Sequence, residues 1–350
     1  MTDTEARAHE LRAQLAPGTL LRAGLERILR GRTGALIVLG ATPVVREIST
    51  GGFVLDEPFT PTALRELAKM DGAIVLSADC DRILAAGVQL MPDPQLPTLE
   101  TGTRHRTAER VAQQTGCPVV TVSASMNTIA IFLDDQRFPI EAPPAILGRA
   151  NLSLQTLERY RTRLQQLLAR LSTLEVQDQV TIRDVALIGQ RLEMVRRLET
   201  ETAGYVSQLG TDGRLIGLQL VEVDSGVGSL AALLTTDYRG DDAEEFGFDH
   251  LSELSDSELL DNALVARAIG FSQPLDVAVT ARGYRQLAGI QRLPASVAQR
   301  LICHFGGLQG IMGASSAELR EVEGVGDHRA RMIRDLLTQI AETMYAQPLE

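Results

Sequence analysis

Four short apolar runs set the strongest limit on how this chain can fold. Gly34–Gly40 (GALIVLG), Gly72–Ser77 (GAIVLS), Pro118–Ser123 (PVVTVS) and Thr128–Leu133 (TIAIFL) are bounded by glycine, proline or polar residues and rich in isoleucine and valine. Runs of this kind read as buried strands. Helices fit between them. Pro61–Met70 opens with a proline suited to a first helical turn, and Thr107–Thr115 follows a threonine-bearing turn and stops at Gly116. This alternation predicts a mixed α/β domain, a sheet flanked by helices, over residues 1–145.

The texture then changes. EAPPAILGRA, residues 141–150, carries two adjacent prolines and marks a domain boundary. Beyond it Leu154, Leu157, Arg161, Leu164, Leu168, Leu171 and Leu174 recur every three or four residues, and Val185, Leu187, Ile188, Leu192, Val195 and Leu198 follow the same stripe. That spacing predicts two long amphipathic helices in an all-α middle domain, residues 146–285. The acidic stretch from Asp237 to Gly270 reads as helix at its ends and loop at its centre, with no chemistry expected there. Short helices punctuated by LPASVA, FGG and GVG form a C-terminal module over 286–350.

Composition narrows the function. A net charge of −11 over 350 residues has the wrong sign for a protein that coats nucleic acid along its surface, so any DNA contact must be local. Lys69 is the only lysine, so isolated arginines carry little information. The chain has no Trp, which weakens readings that rest on stacking many bases. Cys80, Cys117 and Cys303 are too dispersed for a zinc cage or a disulfide framework and suit a reducing cytoplasm. The polar opening MTDTEARAHE is unlike a signal peptide, and no apolar run approaches the roughly 20 residues of a membrane span. No membrane partner is expected.

Four motifs carry chemistry. Asp71-Gly72-Ala73 places a carboxylate at the mouth of a buried run, followed by a glycine that admits a ligand to the backbone; alone, a DG pair more often marks a turn. Gly102-Thr103-Arg104-His105-Arg106-Thr107 precedes a helix, where free N–H groups, the helix dipole and two guanidiniums suit a polyphosphate; the alternative is a capped helix start with solvated arginines. Ser123 ends a strand, where α/β folds bind ligands, although a serine there is more often part of a turn. Together with this third motif, Gly87-Val88-Gln89-Leu90 would offer backbone groups to a nucleobase, or simply lead a strand into a turn. Fourth, Gly324-Val325-Gly326 before an arginine-bearing helix is the hairpin of helix-hairpin-helix modules, whose N–H groups meet DNA phosphates. LPASVAQRLICHF, with Pro294 and Val297, looks like its degenerate partner.

DGA at 71–73, GTRHRT at 102–107, a helical middle and a terminal GVG hairpin, in that order, resemble the DNA-integrity scanning diadenylate cyclases, the DisA family. The resemblance implies condensation of two ATP into cyclic di-AMP with release of two pyrophosphates. Asp71 would bind Mg²⁺ or Mn²⁺ and help activate the ribose 3′-hydroxyl, with Gly72 and Ala73 approaching the nucleotide. Thr103, Arg104, His105, Arg106 and Thr107 would hold the triphosphate, Leu90 would contact base or sugar, and Ser123 would touch phosphate. It further implies face-to-face cyclase domains in an octamer, and branched DNA bound at Gly324 and Gly326 that lowers synthesis. Some members carry arginines just after the serine, where this chain has Ala124, Ser125 and Met126.

Two other classes compete. A phosphate-ester hydrolase with His105 as nucleophile needs a second histidine nearby, and His9, His250, His304 and His328 lie in other segments. A non-enzymatic helix-hairpin-helix scaffold would bind DNA and leave ATP unchanged. A cyclase degenerated to mere ATP binding is disfavoured by the intact Asp71 and RHR.

Overall fold

The computed structural model describes residues 3–223, 226–240, 245–290 and 292–346. By contacts the chain forms two compact units, residues 1–152 with 202–219, and residues 153–201 with 220–350.

In the first unit eight strands form one mixed sheet. They are β1 (Ala35–Leu39), β2 (Ser49–Thr50), β3 (Phe53–Pro58), β4 (Ala73–Leu76), β5 (Arg82–Leu90), β6 (Val119–Ser123), β7 (Thr128–Leu133) and β8 (Gln136–Ile140). The order is β2-β5-β4-β1-β6-β7-β8, with β3 also paired to β5. Only β1 and β4 run parallel; every other pair is antiparallel.

The four apolar runs are β1, β4, β6 and β7, the strands covered on both faces. On one face α1 (Asp3–Gln14), α2 (Leu20–Arg30) and α4 (Pro61–Leu67) pack over Ile37, Ile74, Val120 and Ile131; on the other, α3 (Pro43–Glu47) and α5 (Thr103–Thr115) pack over Val38, Val75, Val119 and Phe132. Each fully buried aliphatic side chain contributes about 1.5–3 kcal/mol relative to exposure, so these two layers hold the sheet against its helices.

The structure adds four strands to those expected. The two-residue β2 is too short to carry a pattern, and β3 is an exposed edge. β5 carries Ala85, Ala86 and Gly87 at its centre rather than a β-branched run, and β8 holds Pro139 on the outermost strand, where a missing N–H is tolerated. Gly87–Leu90 is therefore the end of a strand. Helix α5 begins at Thr103, not Thr107, so GTRHRT forms its first turns.

The second unit is helical. α6 (Pro143–Gln177) starts on the two prolines of the expected boundary, and α7 (Ile182–Leu209) follows; both cross the division between units. α8 (Arg214–Val223), α9 (Val227–Tyr238) and α10 (Asn262–Ile269) come next. The centre of the acidic stretch, residues 241–244, lies outside the described residues. By length and composition alone one segment, Ile182–Tyr238, is long and apolar enough to cross a membrane. It is divided among α7, α8 and α9.

The C-terminal helices are α11 (Tyr284–Ala288), α12 (Ala295–Phe305), α13 (Leu308–Gly313), α14 (Ser316–Leu319) and α15 (Asp327–Ala346). A buried polar cluster secures their start. Asp237 accepts the N–H groups of Gly283, Tyr284 and Arg285 at 2.7, 2.5 and 2.9 Å, and Glu175 of α6 accepts from Tyr238 Oη, Arg285 Nη2 and Gln286 Nε2 at 2.7, 2.6 and 2.6 Å. Burial outweighs the three N–H donors at Asp237 and pushes its carboxyl up to about 6.

Candidate active site

The strand registers bring the motifs to one end of the sheet. Ile37 lies beside Ile74, and Ala35 beside Val122. Continued outward, these registers set Gly34 of the β1 approach between Asp71 and Ser123, with neighbouring strands about 4.8 Å apart. Ala73 pairs with Val88, which carries Leu90 to the same end; Leu90 is partly buried and packs on the α5 side.

Gly72 is required by this arrangement. Its φ is +110°, and a β-carbon there would fall 2.6 Å from the carbonyl carbon of Gly87 and 2.9 Å from the Val88 oxygen. Only glycine lets the β4 entrance approach β5 so closely. Asp71, exposed just before it, makes no side-chain hydrogen bond or ion pair among the described residues.

Helix α5 delivers the basic residues. Its N-cap is Gly102, with no side-chain cap, so its first N–H groups stay free for an anion. The expected threonine cap is absent. Successive helical residues point about 100° apart, and the RHR side chains separate accordingly. The Arg104 guanidinium lies over Gly34, where a β-carbon would sit 2.8 Å from Nη2 and closer still to Nη1. Arg106 and Thr103 are exposed, Thr107 is half-buried, and neither arginine has a side-chain hydrogen bond or ion pair among the described residues. Two guanidiniums beside an uncapped helix start, with Asp71 and Ser123 alongside, suit a triphosphate.

His105 turns inward. It is 8% exposed, its ring 6.1 Å from that of Phe132. Burial holds the imidazole below its ordinary value of 6.5; the Glu100 carboxylate opposes the shift, and Arg137 and Arg104 add to it. As pH falls below 6.5 the unfolded chain takes up this proton first, so stability is lost between 6.5 and the lower folded value. The wild type is expected to lose thermal midpoint relative to His105→Asn as pH drops from about 7 to about 5; a constant gap in calorimetric scans would refute this.

The loop before α5 is strapped onto the helix. Asp93 donates its N–H to Gln114 at 2.8 Å, Arg110 Nε donates to the Leu96 oxygen at 2.9 Å, and Thr98 donates to buried Glu109. Arg137 of β8 pairs with Glu100 at 3.0 Å. At the other border Ser123, buried, shares a hydrogen bond with Ser125 at 3.3 Å and accepts the Met126 N–H at 3.4 Å. Ser125 thus occupies Ser123. On the same strand the buried Thr121 hydroxyl has no hydrogen-bond partner among the described residues. Sequence reasoning missed Gly34, whose role appears only once the registers place it under Arg104.

No group of three or more His, Cys, Asp or Glu residues among the described residues is arranged to hold a metal ion. A single carboxylate fits a Mg²⁺ or Mn²⁺ carried in on substrate phosphates rather than a caged ion.

The C-terminal module is a tandem repeat. Leu287, Ile290, Ala298 and Leu301 are buried, and at one constant interval so are Leu319, Val322, Ala330 and Ile333. Gly324 has φ +91° and packs 3.2 Å from Val297 Cγ2 by its would-be β-carbon; in the degenerate hairpin Arg292 takes the equivalent left-handed position, φ +63°. Arg300 Nε and Arg329 Nη1 donate to the oxygens of Glu323 and Gly324 at 2.9 and 2.5 Å. A β-carbon at Gly326 would meet nothing within 4 Å. Gly324→Ala is therefore expected to lower the thermal midpoint, whereas Gly326→Ala keeps it. Equal thermal losses in both variants would contradict this assignment.

Residues 22–137 match the model of the DisA bacterial checkpoint controller nucleotide-binding domain, and 140–277 match that of the DisA linker region. The chain is 53% identical over 339 residues to the DNA integrity scanning protein DisA of Streptomyces coelicolor, covering 94% of this chain and 90% of the relative. It is 53% identical over 338 residues to the same-named protein of Kineococcus radiotolerans, covering 95% and 94%. For Streptomyces griseus the identity is 50% over 351 residues, covering 98% and 94%. With two family models spanning most of its length and relatives matched nearly end to end, this chain belongs to the DisA family.

Proposed function

We propose that the protein condenses two ATP into cyclic di-AMP and two pyrophosphates. The observation that carries this reading is the meeting of Asp71, Gly72, Arg104 and Ser123 at one sheet end, beside the uncapped start of α5. In each half-reaction a ribose 3′-oxygen forms a bond to an α-phosphorus while the α–β phosphoanhydride bond breaks. Asp71 holds and orients the hydroxyl and receives its proton; Arg104, Arg106 and the α5 N–H groups take up charge on the departing pyrophosphate. Thr103, Thr107 and Ser123 hydrogen-bond phosphate oxygens, while Gly72, Ala73 and Leu90 border the nucleoside. Asp71 would hold a Mg²⁺ or Mn²⁺, which when bound would supply further charge neutralisation.

Each chain carries one such site and the product needs two nucleotides, so two cyclase domains must face each other, in an assembly proposed to be an octamer. The proposed division is a cyclase domain (1–145), a helical oligomerisation domain (146–285) and a helix-hairpin-helix domain (286–350) that binds branched DNA and lowers synthesis, acting in the cytoplasm as a DNA-integrity checkpoint.

Incubation with ATP and Mg²⁺ or Mn²⁺, with and without branched DNA, tests the proposal by chromatography and mass analysis. Cyclic di-AMP, reduced when DNA is added, is expected. ADP with phosphate would favour a hydrolase, a role for which buried His105 is poorly placed. Unchanged ATP with retained DNA binding would leave the scaffold.

A further inference from the structure

We infer that Phe53 and Met70 form an apolar slot that grips the nucleobase of the substrate over Gly87. This deepens the cyclase reading and rests on it for the identity of the nucleotide. Among the described residues Phe53 is the only exposed phenylalanine or tyrosine, at 63%, and Met70 is 37% exposed. They belong to different segments, the start of β3 and the turn before β4, yet they meet at one point. A β-carbon built on Gly87 would lie 3.8 Å from Met70 Cε, 3.9 Å from Phe53 Cδ2 and 3.7 Å from the backbone oxygen of Asp71. The slot is thus lined by an aromatic ring, a thioether and bare backbone, and its fourth side is the residue proposed to hold the reacting hydroxyl.

Phe53 and Met70 bring an aromatic ring and a thioether to the same backbone on a chain with 4% aromatic residues. The occupant is a flat base for three reasons. The slot adjoins Asp71, so a nucleoside whose ribose lies there has its base within reach. Phe53 is held on β3 opposite Ala86, which fixes its ring beside the backbone of β5. Ring and thioether together match a π-surface, the ring by stacking and the sulfur by its polarizability. Gly72 leaves room for the same backbone, since a β-carbon there would collide with Gly87 and Val88.

The absence of Trp provides a clean probe. In Phe53→Trp/Asp71→Asn, ATP with Mg²⁺ is expected to quench the indole emission, whereas tripolyphosphate, which has no base, leaves emission unchanged while displacing ATP. In otherwise wild-type protein, Phe53→Ala should raise KM for ATP on the order of tenfold, with kcat within about threefold and unchanged mass by light scattering. ATP binding by calorimetry without a quench, or an unchanged KM, would overturn the slot and leave the cyclase reading intact. A changed molecular mass in Phe53→Ala would overturn it in favour of a contact between chains. A persistent ATP quench in a protein whose wild type forms no dinucleotide would keep the slot and sink the cyclase reading.

Discussion

Replacing Asp71 by asparagine is expected to leave ATP bound and to lower dinucleotide formation by about 10²–10⁴-fold, the range of a positioned acid–base group. The amide would keep the shape of the side chain, and Gly72, which carries the tight approach to β5, is untouched. The fold should therefore survive, and an unchanged thermal midpoint is part of the expectation. Because the carboxylate has no hydrogen-bond or ion-pair partner among the described residues, no buried group is orphaned by its loss. Turnover near the wild-type rate would remove Asp71 from the mechanism.

The second large effect comes from a residue that touches no substrate. Gly34→Ala is expected to lower kcat about 10²-fold, since a displacement of about 1 Å in a positioned group can have that consequence. The new methyl would occupy the place of the Arg104 guanidinium, so Arg104 must leave the row between Asp71 and Ser123. Arg104→Ala should give a similar loss, and the double variant little more than either, because both remove the same contact. Gly148→Ala is the control, as its β-carbon meets nothing within 4 Å. Additive losses in the double variant would show that Gly34 acts by another route.

How much was legible follows from which faces are covered. β1, β4, β6 and β7 are buried on both sides and therefore spell continuous apolar runs. β3 is exposed along nearly its whole length, β5 has Ala and Gly at its centre, and β8 contains Pro139, so none carries that signal. The start of α5 was hidden because its cap is Gly102, which has no side chain to announce a helix, and because Thr, Arg, His and Arg look like a loop before TAERVAQQT. The motifs themselves could be read, but their meeting could not. That Gly34 stands between Asp71 and Ser123 depends on one parallel and one antiparallel register, which local sequence does not encode. Likewise Arg292 stands in for a glycine in the first hairpin, a left-handed position that an arginine conceals.

The most direct test of the central claim is to follow ATP and Mg²⁺ with the wild-type protein by phosphorus NMR. The account predicts that the triphosphate signals give way to pyrophosphate and a single phosphodiester resonance, in the ratio of one cyclic dinucleotide to two pyrophosphates. Growth of ADP and inorganic phosphate signals, with no phosphodiester, would contradict it.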